Sequence, residues 1–121
     1  VSVTVRITKS FKAAVKLLVK KYPSLKDDLL KLEERLIEEP KQGTSLGNNI
    51  YKIRLKISSK GKGKSGGARV ISLVETILIG EVEVKEQEVT VNLLTIYDKA
   101  DTANITDKEL KDLIKAFHES R

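Results

Sequence analysis

Over the first seven residues Val1, Val3, Val5 and Ile7 alternate with Ser2, Thr4 and Arg6, a period of two that predicts a strand with one buried face. The period then changes. Phe11, Val15, Leu18, Val19 and Tyr22 fall three or four apart, the spacing of a helix with one apolar side, and Thr8 or Ser10 stands where its cap is needed. Pro23 closes that helix, because the residue before a proline is pushed out of the helical region. Ser24 opens a second helix with Asp27 three residues on, a capping-box arrangement. Leu25, Leu29, Leu32 and Leu36 line its buried side before Glu38, Glu39 and Pro40 end it. The short joint at Pro23 and Ser24 makes the two a helical hairpin.

KQGTSLGNN (41–49) is rich in turn residues and reads as a loop. In IYKIRLKI (50–57) the alternation returns: Tyr51, Ile53, Leu55 and Ile57 point one way, and Lys52, Arg54 and Lys56 the other. SSKGKGKSGG (58–67) is a glycine-rich linker. The β-branched runs 68–79 and 89–97 predict two more strands, with Gly80 at a bulge or bend and KEQE (85–88) as the tight connection. Thr106 and Glu109 predict a capping box for a last helix carrying Leu110, Leu113, Ile114 and Phe117. No repeat is visible. This order predicts an α+β fold: an antiparallel sheet of about four strands, with the N-terminal helical hairpin and the C-terminal helix packed on one face. Residues 1–121 are expected to form a single domain.

Composition narrows the chemistry. The chain has no cysteine, which excludes a disulfide framework, a thiol nucleophile and thiolate metal sites. Its one histidine, His118, lies beside Phe117 in the last helical turn, where a structural or incidental role is expected. No apolar run is long enough to span a membrane and no signal-peptide layout opens the chain, so a cytoplasmic protein with no membrane partner is expected. There is no methionine, not even at position 1, which reads as a processed or trimmed start.

The net charge of +6 is concentrated in one stretch. From Pro40 to Val74 there is no acidic residue, and Lys41, Lys52, Arg54, Lys56, Lys60, Lys62, Lys64 and Arg69 all lie there. The remainder of the chain is close to neutral. Such a patch is the footprint expected for a polyanion partner. Same-face residues on a strand sit roughly 6.5–7 Å apart, near the spacing of phosphates along a nucleic-acid strand. Lys52, Arg54 and Lys56 therefore make a three-pronged basic stripe. If 50–57 and 68–79 pair antiparallel, Arg69 emerges beside it, and Lys60, Lys62 and Lys64 flank it on a loop whose glycines free backbone N–H groups for phosphate oxygens.

RNA supplies its own nucleophile, the 2′-hydroxyl. Packed cations stabilise the phosphorane charge and lower one another's pKa, so that one lysine, Lys52, can act as base. No cofactor and no metal is needed for this chemistry. Asp98 and Asp101 read as turn and capping residues. Tyr22 and Tyr51 read as packing residues. GKGKSGG lacks the phosphate-loop spacing and joins two strands.

The helical hairpin, then GTSLGNNIYKIRLKISSKGKGKSGGARVI, LLTIYDKAD and the last helix resemble the RelE/ParE superfamily of bacterial toxins, most of all the RelE/HigB-type members, over about residues 9–115. The resemblance implies a small α+β toxin that enters the ribosomal A site and cleaves mRNA, and that a cognate antitoxin neutralises by covering its basic face. Carried onto this chain, the two strand cations of that family fall on Lys52 and Arg54 and the next-strand arginine on Arg69. A further arginine falls on Lys99, a lysine here. The family tyrosine falls near Ile105 or Thr106, where no phenol stands, leaving Tyr97 as the candidate acid. Lys56, Lys60, Lys62 and Lys64 are expected to hold RNA backbone. The free toxin is expected to be a monomer. Two rival readings stand beside this one: a ParE-type toxin that poisons gyrase without cutting RNA, and a plain basic nucleic-acid-binding module.

Overall fold

The computed structural model of the chain describes residues 1–61, 63, 66–80 and 85–120. Strand β1 (Ser2–Ile7) leads into helices α1 (Lys9–Val19) and α2 (Leu25–Glu38), followed by β2 (Thr44–Gly47), β3 (Ile50–Leu55), β4 (Ala68–Gly80), β5 (Lys85–Asp98) and α3 (Asp107–Glu119). The fold is α+β, as the pattern predicts. The sheet has five strands in the order β1-β5-β4-β3-β2. All neighbours are antiparallel except β1 and β5, which run parallel with Val3 opposite Val89 and Val5 opposite Val91. A four-stranded antiparallel sheet is thus corrected in two respects. Thr44–Gly47, read as loop from its turn residues, pairs with β3 through a bulge, and the first strand joins the sheet beside the last.

Local signals account for the helix boundaries. Thr8 is extended and caps α1, its hydroxyl accepting from the Phe11 N–H at 3.2 Å and donating to the Leu93 carbonyl at 2.8 Å. The same side chain therefore ties the start of α1 to β5. Thr106 and Glu109 form the full capping box at α3. Ser24 does not form the box expected with Asp27. Its backbone is already helical and its hydroxyl donates to Asp28 instead, at 2.8 Å.

The helical hairpin covers one face of the sheet, where Phe11, Leu25, Leu32 and Leu36 pack on Ile53, Leu55, Val70 and Val91. The expectation that all helices share this face is corrected. Helix α3 lies on the other side, setting Phe117 against Ile50, Ile71, Leu73 and Leu94. The reason is in β4, where residues 68–74 are buried at both parities, and a strand apolar on both faces needs cover on both.

After Val74 that cover ends. Ile77, Leu78 and Ile79 are exposed, and Ile77 to Gly80 pair with Glu88 to Lys85. KEQE is therefore the opening of β5 and not a connection, because backbone pairing carries the ribbon beyond the core. Gly80 ends β4 with φ +116. Among the described residues no helix is long and apolar enough to cross a membrane.

Candidate functional site

Alternation along β3 buries Ile53 and Leu55, with Ile57 just beyond, under the hairpin. It turns Lys52 and Arg54 to the α3 face of the sheet, and Lys56 follows, exposed, just past the strand. The β3–β4–β5 register then sets Arg54 opposite Arg69 and Arg69 opposite Tyr97. Directly opposed residues share a face, their Cβ atoms about 5 Å apart. The stripe and Arg69 meet as the sequence suggested.

Lys99 lies just past β5. Its backbone N–H donates to the Gly67 carbonyl at 3.1 Å. Position 67 must be glycine for this approach, since a Cβ there would sit 2.1 Å from the Leu55 carbonyl oxygen. The Lys99 ammonium donates to the Ala103 carbonyl at 2.9 Å, and the Lys52 ammonium to Asn104 Oδ1 at 3.4 Å. Both candidate lysines are thus held by the loop between β5 and α3. Lys52 lines a hollow of about 250 Å³ with Leu46, Asn104, Ile105, Asp107 and Leu110. Asn104 and Asp107 carry no spacing signal in the sequence; only the path of the loop brings them here.

Depth divides the candidates. Arg54 and Lys56 face solvent and Lys52 is half-buried. Arg69 is only 4% exposed, and its guanidinium donates to the Ala68 carbonyl at 3.1 Å. The Tyr97 hydroxyl, the candidate acid, is buried with no hydrogen-bond partner among the described residues, and Tyr97 packs, like Ile105, Leu110 and Ile114, against the core cluster on this face. The residue is half-buried and lines a cavity of about 360 Å³ with Thr95, Thr102, Ile105 and Glu109, but its hydroxyl oxygen does not reach solvent.

Through the sheet, on the hairpin side, lies a cluster that the sequence did not reveal. Asp98 is 2% exposed. It accepts from the Lys60 ammonium at 2.6 Å, from the Tyr22 hydroxyl, and from the Ala100 N–H at 3.0 Å, with Lys21 at 3.7 Å. Burial by itself pushes this carboxyl up, but the Lys60, Tyr22 and Ala100 hydrogen bonds outweigh it and hold the group at about 2. The bond to Ala100 is the turn role expected of Asp98. The bond to Lys60 corrects the expectation that this lysine holds RNA backbone. Its side chain is only 10% exposed and its charge is consumed internally. Tyr22 does pack, as expected, and its hydroxyl joins the cluster as well. Lys62 and Lys64 lie outside the described residues.

A second buried carboxylate sets the chain up for this. Asp28 accepts from Ser24, from the Ser58 hydroxyl at 2.6 Å and from the Ser58 N–H at 2.9 Å. Burial raises this group too, but the Ser58 and Ser24 bonds with the Lys31 charge bring it below the ordinary carboxylate range. The clamp fixes the turn Ser58–Lys60 on α2 and thereby delivers Lys60 to Asp98.

On the stripe side, the buried acid nearest in sequence to Lys99 has been turned to the opposite face and neutralised there. Lys52, Arg54, Lys56 and Lys99 keep their positive field, which suits a phosphodiester backbone. Among the described residues no three histidine or acidic side chains gather to hold a metal ion. No family model and no curated protein matches the chain.

Proposed function

We propose that this protein is the toxin of a type II toxin–antitoxin module and acts as a ribosome-dependent mRNA endoribonuclease. The observation that carries the reading is the cross-strand meeting of Arg54 and Arg69 on one sheet face, flanked by Lys52 and Lys56 along β3 and by Lys99 beyond β5. In the proposed reaction Lys52 takes the proton of the 2′-hydroxyl, whose oxygen attacks the adjacent phosphorus. Arg54, Arg69 and Lys99 stabilise the added negative charge. The P–O5′ bond breaks, leaving a 2′,3′-cyclic phosphate and a 5′-oxygen that takes a proton from water. Lys56 holds the neighbouring backbone. The partners are mRNA in the ribosomal A site and a cognate antitoxin, and the site of action is the cytoplasm.

The burial of Arg69 and of the Tyr97 hydroxyl favours a second reading, a gyrase-poisoning toxin that binds through the exposed cations and cuts nothing. Primer extension on a defined mRNA, with and without translating ribosomes, separates the two. Ribosome-dependent cuts are expected for the wild type and none for Arg69→Ala, with circular dichroism checking that the variant folds. Equal cutting by a folded Arg69→Ala removes the catalytic assignment. An uncut message together with inhibited supercoiling selects the second reading.

A further inference from the structure

The two edges of the sheet are treated differently. Strand β2 has four residues and a bulge, and runs into Asn48 and Asn49, both at positive φ. Those are features that keep an edge from pairing with another chain. Strand β1, the other edge, runs six residues in the parallel register without a break, contains no proline and has Arg6 as its one charge. It is an open edge.

Beside that edge α2 carries a second apolar stripe. Its first, with Leu25, Leu32 and Leu36, is buried in the core. Lys26, Leu30, Glu33 and Ile37 follow one another at intervals of four, three and four, so they share another face. Leu30 is 58% and Ile37 52% exposed, and Ile7 at the end of β1 is 58% exposed. Between β1 and α2 runs an apolar groove of about 310 Å³ lined by Val5, Ile7, Leu29 and Leu30, with Lys26 and Glu33 also on its wall.

The charges decide what fits. Lys26 stands four residues before Leu30 and Glu33 three after it, about 6 Å and 4.5 Å along the helix axis. If two such helices cross antiparallel at Leu30, Lys26 of one copy arrives level with Glu33 of the other, twice over. A surface that is complementary to itself under a two-fold rotation is what an isologous dimer requires. The same axis allows two β1 edges to pair antiparallel about Thr4, with Val3 of one copy opposite Val5 of the other.

We propose that a second copy of this chain occupies the groove: two molecules join through β1 and the Lys26–Leu30–Glu33 face of α2. This departs from the monomer expected of the free protein. It leaves the Lys52–Arg54 face of the sheet uncovered.

Sedimentation of the full chain from micromolar to millimolar concentration is expected to show a monomer–dimer equilibrium. Lys26→Glu sets like charges against each other at both ends of the contact and is expected to weaken the dimer by more than about tenfold. The double change Lys26→Glu with Glu33→Lys restores the complementarity and is expected to return the dimer to near wild-type strength. The chain has no cysteine, so Leu30→Cys reports the axis directly. It is expected to form a disulfide-linked dimer on mild oxidation, whereas Leu17→Cys, on α1 and more exposed still at 73%, does not. A monomer at every concentration overturns the proposal. So does a dimer indifferent to Lys26→Glu, or one that the double change fails to restore. Circular dichroism confirms that each variant is folded.

Discussion

Replacing Asp98 by asparagine tests the buried cluster that anchors the end of β5. The wild-type carboxyl sits at about 2 instead of the ordinary 3.8, which corresponds to about 2 kcal/mol favouring the ionised folded state. Because the folded value is the lower one, this stability is fully present above pH 4. It is lost as the pH falls through the interval down to 2. Asp98→Asn preserves size and an acceptor for Tyr22, but it leaves the Lys60 ammonium, 10% exposed, without its counter-charge. Breaking one side of a buried pair costs about 3–5 kcal/mol. Urea unfolding followed by circular dichroism, from pH 7 to pH 2, reads both quantities. The variant is expected to be less stable by about 3 kcal/mol at pH 7, and its stability should fall less steeply than that of the wild type below pH 4. Adding Lys60→Met should recover part of the loss, since an apolar side chain no longer needs a partner. A variant with wild-type stability at pH 7, or with an unchanged slope below pH 4, would refute the account.

Four further outcomes are expected. Lys56→Ala should lower the magnitude of the log–log salt dependence of single-stranded RNA binding by about 0.7, one phosphate contact. Lys60→Ala should leave that slope unchanged while lowering the unfolding midpoint, because its charge is spent on Asp98; equal slopes in both variants would contradict the division. Gly67→Ala forces a Cβ to within 2.1 Å of the Leu55 carbonyl. It should cost about 2 kcal/mol or more in urea unfolding and disturb the register at Lys99, visible as shifted amide signals for 67–69 and 97–99. Thr106→Ala removes the α3 capping box and should lower stability by about 1 kcal/mol, a loss absent from the neighbouring exposed Asp107→Ser.

Much of the basic stripe was legible in the sequence because a period of two is a statement about faces. Once Ile53 and Leu55 are assigned to the core, Lys52 and Arg54 have nowhere to go but the other side. Arg69 was placed beside them by the assumption of antiparallel pairing alone. Its depth was not legible, for burial depends on packing between segments distant in the chain. Lys60 was misplaced for the same kind of reason. In the chain it belongs to a run of glycines and lysines, which reads as a solvated loop. Its partner Asp98 lies 38 residues away and the Tyr22 hydroxyl another 38 before it.

The sequence by itself determined the helices, the start of the first to within Thr8 or Ser10 and of the last at Thr106, the α+β order, and the direction in which each residue of β3 points. All of these are set by interactions within a few residues of one another, where propensity, capping and periodicity act. The tertiary structure alone decided that β1 lies parallel beside β5, that α3 covers the face opposite the hairpin, and that KEQE belongs to a strand. It also decided how deep each described cation lies, and that Lys60 is spent on Asp98. Those outcomes turn on pairings between distant segments, and in a pairing the energy belongs to two surfaces at once. No single stretch of the chain carries it.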